Sequence, residues 1–71
     1  MATNEQYEKG ARNLIQRIRS APNSAEKARV MTCLGNLRYR QYRTTQDPSA
    51  MRLARNCYLA ARSFQAQQVT A

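Results

Sequence analysis

The sequence contains no histidine and no tryptophan, and its 71 residues include only two glycines, two prolines and two cysteines. Without histidine the chain lacks the commonest general base and the commonest nitrogen ligand for metals. Two cysteines alone are too few to hold a structural zinc ion, and neither has a histidine to activate it as a nucleophile. A glycine-rich phosphate loop is also missing. We therefore expect a protein that is not an enzyme and binds no cofactor or metal.

Long apolar segments are missing as well. Residues 1–10 are polar and include two glutamates, which is unlike the apolar core of a secretory signal. No apolar run approaches the roughly 18 residues that cross a bilayer. We expect a soluble protein of the cytoplasm or another intracellular compartment. A membrane-surface role is disfavoured because the apolar helix faces are needed for the core.

Acidic residues are scarce, with four against twelve basic ones, which gives a net charge of +8. All four are predicted near the start of a helix, where the helix dipole and unpaired N–H groups stabilise carboxylates. They are Glu5, Glu8, Glu26 and Asp47. This placement leaves ten arginines and two lysines without side-chain counter-charges. The surface should therefore be cationic and should attract an anionic partner.

Capping signals and apolar periodicity predict three helices. Thr3 and Gln6 form a capping box, Asn23 is an N-cap, and Asp47 followed by Pro48 is a strong helix start. The predicted helices span about residues 4–21, 24–43 and 48–65, within a single domain of residues 1–65, and residues 66–71 are predicted to be a flexible tail. Short connections predict an all-α, antiparallel three-helix bundle. Dimerisation would offset the small core and the charge repulsion.

The second helix should be the middle element, because its apolar residues form two arcs. One arc holds Val30, Cys33, Leu34 and Leu37, and the other holds Ala28, Met31, Gly35, Tyr39 and Tyr42. We expect Gly35 to let the first helix approach near Tyr7. Lys27 and Arg38 lie between the arcs, so their stems should pack while their charged ends reach water.

The third helix has one inward face, predicted to consist of Ala50, Leu53, Ala54, Cys57, Ala60, Ala61 and Phe64. Cys33 and Cys57 come level if the second and third helices are antiparallel, so a disulfide is geometrically conceivable. The alternative is two reduced, buried thiols that pack as small hydrophobic groups, and the sequence shows no secretory signal to favour the disulfide.

Arginines occupy the faces that packing does not need. The predicted nucleic-acid-binding residues are Arg29, Arg40, Arg43, Arg52, Arg55, Arg62 and Tyr39. Guanidinium groups make bidentate contacts with phosphate, and arginine and tyrosine planes can stack on the bases of RNA or single-stranded DNA. A solvated face that only confers solubility is the plainer interpretation. A helix-turn-helix is disfavoured, because the second helix is long and its linker lacks glycine.

One set of mainly small and aromatic positions covers about thirty residues of the second half of the chain. It consists of Leu34, Gly35, Asn36, Tyr42, Asp47, Ala54, Tyr58 and Ala61. This pattern resembles a helical hairpin of the tetratricopeptide type. The resemblance implies hairpin packing and a protein-binding module, such as an adaptor or inhibitor with a regulatory role, that docks on an acidic partner. An exposed Leu59 among the arginines of the third helix would suit such docking.

Overall fold

The computed structural model describes residues 3–69, which form three α-helices joined by two short connections. The helices are α1 (Asn4–Ser20), α2 (Ser24–Thr45) and α3 (Pro48–Val69). The predicted all-α fold with three helices is confirmed. None of the three helices, within the described residues, combines the length and the apolar character that a bilayer-spanning helix requires.

The predicted helix starts are confirmed by their caps. The Gln6 N–H donates to Thr3 Oγ1 at 3.3 Å and the Thr3 N–H donates to Gln6 Oε1 at 3.0 Å, which completes the capping box. The Glu26 N–H donates to Asn23 Oδ1 at 2.9 Å. Asp47 Oδ1 accepts from the Ser49 N–H at 3.0 Å. Each cap satisfies an N–H group that the helix itself leaves unpaired.

Two helices extend beyond their predicted ends. Helix α2 runs to Thr45 and stops at Gln46, which adopts a left-handed conformation (φ 58°) and donates its N–H to the Tyr42 carbonyl. Helix α3 continues to Val69, so the predicted tail is helical from residue 66 to residue 69. The Ser24 hydroxyl of α2 donates to Gln67 Oε1 at 3.1 Å and ties this last part of α3 to its neighbour. Residues 70 and 71 lie outside the described residues.

Helix α2 is the central element, as predicted, with α1 and α3 antiparallel to it. In the part of the chain that the structure describes, no Cα atom of α1 lies within 8 Å of one in α3. The molecule is accordingly a thin layer with extents of 42 × 20 × 14 Å. Each outer helix therefore has a long surface that no other described helix covers.

Small residues allow α2 and α3 to pack closely. Gly35 is buried under the Tyr58 ring, and a Cβ placed on Gly35 would lie 2.7 Å from Tyr58 Cε1. The prediction that Gly35 faces α1 near Tyr7 is therefore wrong. The Tyr7 hydroxyl instead shares a hydrogen bond of 3.0 Å with the Thr44 hydroxyl. The buried hydrophobic residues are Tyr7, Ala11, Ala28, Val30, Leu34, Ala50, Ala54 and Ala61.

Arg38 departs most from its prediction, because its charged end does not reach water. The residue is only 8% exposed. Its guanidinium donates to both carboxylate oxygens of Glu8 on α1 and to Gln41 Oε1 at 3.0 Å. Gln41 in turn donates to Asn4 Oδ1 at 3.1 Å. A buried guanidinium needs such partners, since losing its hydration would otherwise be costly.

Cys33 and Leu53 are more exposed than predicted. Both cysteines are free; Cys57 is half-buried, but Cys33 is exposed and lines a surface depression with Leu14 of α1. The predicted burial is therefore wrong for Cys33. Leu53 is 41% exposed. Since α1 does not reach α3, no described helix covers the edge of α3 on which Leu53 lies.

Candidate nucleic-acid interface

None of the four acidic side chains forms an ion pair with an arginine of α3. Glu5 lies in the first turn of α1, and Asp47 caps α3. Glu26 forms an exposed ion pair of 3.2 Å with Arg29 on the same helix. Glu8 lies near the start of α1 as predicted, but it pairs with Arg38, so the prediction that the arginines lack side-chain counter-charges is wrong for Arg38 and Arg29.

Most of the arginines have no ion-pair partner. Among the described residues, only Arg29 and Arg38 have a carboxylate within 4.0 Å. Helix α3 contains no acidic residue, and its arginines are all exposed. The arginines of α3 thus have no carboxylate partner on α3 itself or on the other described helices. Their positive charge is available to an anion.

A groove runs along α3 beside α2 and is lined by four of the seven predicted site residues. Its volume is about 620 Å³. The lining combines three arginines with aromatic and apolar side chains: Tyr39, Pro48, Met51, Arg52, Ala54, Arg55, Tyr58, Leu59 and Arg62. The predicted residues Arg52, Arg55, Arg62 and Tyr39 are brought together in this groove. We call it the α3 groove.

The wall of the α3 groove on the α2 side is held in place by Tyr58. Its ring lies against Gly35, and its hydroxyl donates to Asn36 Oδ1 at 2.6 Å. Tyr39 follows Gly35 by about one helical turn along α2, with 41% of its surface exposed. Leu59 and Met51 contribute exposed apolar surface on α3, at 55% and 36% exposure. The groove therefore offers both guanidinium and apolar contacts.

The remaining predicted residues lie outside the α3 groove. Arg29 borders a second depression with Thr32 and Gln65, and Arg40 borders a third with Leu14 and Leu37 of the α1 side. Arg43 is exposed on α2, one turn after Tyr39. The two predicted stripes thus do not merge into a single pocket. The arginines of α2 lie on its exposed surface outside the groove.

Tyr58, Met51 and Pro48 were not identified as site residues from the sequence. A usable signal was present for Tyr58. If α2 and α3 are antiparallel about residues 46 and 47, the residue level with Gly35 is Tyr58. A large ring opposite a residue without a side chain is a packing match, and it fixes the groove wall.

Two titratable groups outside the α3 groove have shifted pKa values. The hydrogen bond from Arg38 lowers the pKa of Glu8, although desolvation acts against it. Burial raises the pKa of the Cys57 thiol, which keeps it protonated and poorly nucleophilic. Within residues 3–69, no three Cys, Asp or Glu side chains come together as a metal site would require.

No family model, curated protein or solved structure matches the chain. The positions that resemble a tetratricopeptide hairpin do pack α2 against α3, with Gly35 against Tyr58 and Ala54 and Ala61 buried. This packing accounts for the resemblance as a feature of a close helical hairpin. The functional argument therefore depends on the geometry of the α3 groove and its surroundings.

Proposed function

We propose that the protein binds nucleic acid, largely independently of sequence, through the arginines of α3 and the exposed arginines of α2. The observation that carries the proposal is the α3 groove, in which Arg52, Arg55 and Arg62 are exposed beside aromatic side chains and lack carboxylate partners. The proposal describes a non-enzymatic protein of the cytoplasm or another intracellular compartment, where nucleic acid is present.

The spacing of these arginines suits a linear polyanion. Arg52 and Arg62 are separated along α3 by about 15 Å, at about 1.5 Å per residue, with Arg55 between them. Each guanidinium can make a bidentate contact with one phosphate and release a condensed counterion. Such contacts position a nucleic-acid backbone but do not read its sequence. Affinity should therefore depend strongly on salt and weakly on base order.

The arginines of α2 should contribute unequally. Arg40 and Arg43 have no carboxylate within 4.0 Å among the described residues, so both can contact phosphate without breaking an ion pair. Arg29 is already paired with Glu26, although that pair is exposed. Arg29 must exchange this partner for a phosphate, so we expect it to contribute least to the affinity for nucleic acid.

A pair of charge-matched variants tests the proposal. Arg55→Gln with Arg62→Gln removes two exposed charges from the groove, whereas Arg17→Gln with Arg19→Gln removes two exposed charges from α1. Both variants lower the net charge equally. Fluorescence anisotropy with a labelled oligonucleotide should show weaker binding for the groove variant, with a salt slope smaller by about 1.4 for a single strand or 1.8 for a duplex. Equal affinities for the two variants would show that only net charge matters.

A second candidate function is docking on an acidic segment of another protein. The exposed Leu59 and Met51 favour it, because an amphipathic helix could place apolar side chains between the arginines. This candidate predicts a saturable complex with one acidic protein and only weak, salt-sensitive retention on nucleic acid. Affinity purification from lysate, with and without nuclease, compares the two. Analytical ultracentrifugation would test the predicted homodimer.

A further inference from the structure

The four tyrosines differ in whether the fold uses them. Tyr7 is buried and its hydroxyl is hydrogen-bonded to Thr44. Tyr58 packs on Gly35 and donates to Asn36. Tyr42 is half-buried. Tyr39 is the exception, since it is 41% exposed, and no hydrogen bond of its hydroxyl is found within the described residues. Its ring lines the groove, and the exposed part of the ring offers an apolar surface to a ligand.

We infer that the α3 groove binds a single-stranded rather than a double-stranded nucleic acid, with an unpaired base stacked on Tyr39. This inference rests on the proposed function and adds the form of the ligand. A base has an apolar face of the kind that stacks on tyrosine, and stacking of this type tolerates any base. It therefore agrees with binding that is independent of sequence.

The position of Tyr39 relative to the arginines supports this choice. Tyr39 belongs to α2, whereas Arg52, Arg55 and Arg62 belong to α3, so the ring and the guanidinium groups reach the groove from different helices. A strand lying in the groove could thus place phosphates against the α3 arginines and a base against Tyr39. A duplex keeps its bases stacked inside, so it cannot supply a base face to Tyr39 without unpairing.

The apolar part of the lining argues in the same direction. Leu59 and Met51 lie among the arginines, so a ligand that filled the groove with phosphate alone would lose hydration against apolar side chains. A single strand can turn a base or sugar toward these residues. Tyr58 acts as a positioning residue, because its hydrogen bond to Asn36 holds the wall next to Tyr39.

The test compares a labelled oligothymidylate, an abasic oligonucleotide of the same length and a duplex, by fluorescence anisotropy at one salt concentration. The wild-type chain should bind the oligothymidylate more tightly than the abasic strand, which carries the same phosphates without bases. Tyr39→Leu should lower oligothymidylate affinity by roughly fivefold or more and leave abasic affinity unchanged. Tyr39→Phe keeps the aromatic plane and should behave as wild type. Circular dichroism checks that each variant is folded.

The outcomes separate this inference from the proposed function. Equal wild-type affinity for the abasic strand and the oligothymidylate, or tighter binding of the duplex, would overturn the inference while nucleic-acid binding stands. That comparison needs no variant, so it holds even if Tyr39→Leu is unstable. Absence of binding to all three ligands would overturn both. Tighter binding of an acidic amphipathic peptide, lost in Tyr39→Leu, would assign the groove to a protein partner instead.

Discussion

Replacing each glycine by alanine tests how α2 and α3 pack, because the two glycines meet different neighbours. Both lie inside helices, so each substitution gains about 1 kcal/mol of helix propensity. A Cβ on Gly10 would lie 3.3 Å from Leu37 Cδ2, the end of a flexible side chain. A Cβ on Gly35 would lie 2.7 Å and 2.9 Å from two ring atoms of Tyr58.

The propensity gain is common to both variants, so their difference in stability measures the packing cost. Leu37 is half-buried and needs to move only a few tenths of an ångström, so Gly10→Ala should stabilise the fold by up to about 1 kcal/mol. At Gly35 the Tyr58 ring must shift as a whole and loosen its hydrogen bond to Asn36. Overpacking of this kind costs about 1–3 kcal/mol. Gly35→Ala should therefore be less stable than Gly10→Ala by a similar amount.

Urea and thermal denaturation followed by circular dichroism measure this difference. In a domain of this size, 1 kcal/mol corresponds to about 4–8 °C in Tm. A double-mutant cycle with Tyr58→Ala provides the control, because Gly35→Ala should carry no packing cost once the ring is gone. If Gly35→Ala is as stable as Gly10→Ala, the contact between Gly35 and Tyr58 does not define the helix pair, and the wall of the α3 groove is misplaced.

Two further predictions concern ionisable groups. Arg38 lowers the pKa of Glu8 in the folded state, so this pair stabilises the fold above the ordinary pKa of 4.5 and the contribution is lost as the pH falls through the lower folded value. Glu8→Gln should remove this part of the acid dependence in urea denaturation, whereas Glu5→Gln should keep it. Glu8 itself is partly exposed, but the change takes the charged partner from the buried Arg38 guanidinium, so we expect a loss of about 1–3 kcal/mol at pH 7. Iodoacetamide should modify Cys33 faster than Cys57, since Cys33 is exposed and burial raises the pKa of Cys57. Mass spectrometry of Cys33→Ser and Cys57→Ser checks this order, and equal rates would contradict the burial of Cys57.

The helix starts could be predicted from the sequence because each cap is a contact between residues two or three positions apart. Thr3 with Gln6 and Asn23 with Glu26 require no knowledge of the rest of the fold. Asp47 with Ser49 is of the same kind. The exposure of the α3 arginines could also be predicted from helical periodicity. If the alanines of α3 face the core, the arginines on the opposite face must be exposed.

The packing predictions that failed depend on how far each helix is rotated about its axis and on which neighbouring helix it contacts. Two apolar arcs on α2 indicate two partners, but they do not say which arc faces which helix, so Gly35 was matched with α1 instead of Tyr58. Arg38 was predicted to reach water because a helical wheel does not show Glu8 on another helix. Cys33 was predicted to be buried because it belongs to an inward arc of α2, but it is exposed.

The ion pair of the buried Arg38 helps to explain why the arginines of the α3 groove have no carboxylate partners. Glu8 is held by Arg38 on the α1 side of the layer, and Glu26 is held by Arg29 at the start of α2. The fold thereby fixes two of its four carboxylates outside the lining of the α3 groove, and Asp47 is occupied by the first turn of α3. Moving Glu8, Glu26 or Asp47 to the groove would break an ion pair or a helix cap. The positive field at the α3 groove is thus a property of the folded state, and unfolding should abolish selective binding while the net charge stays the same.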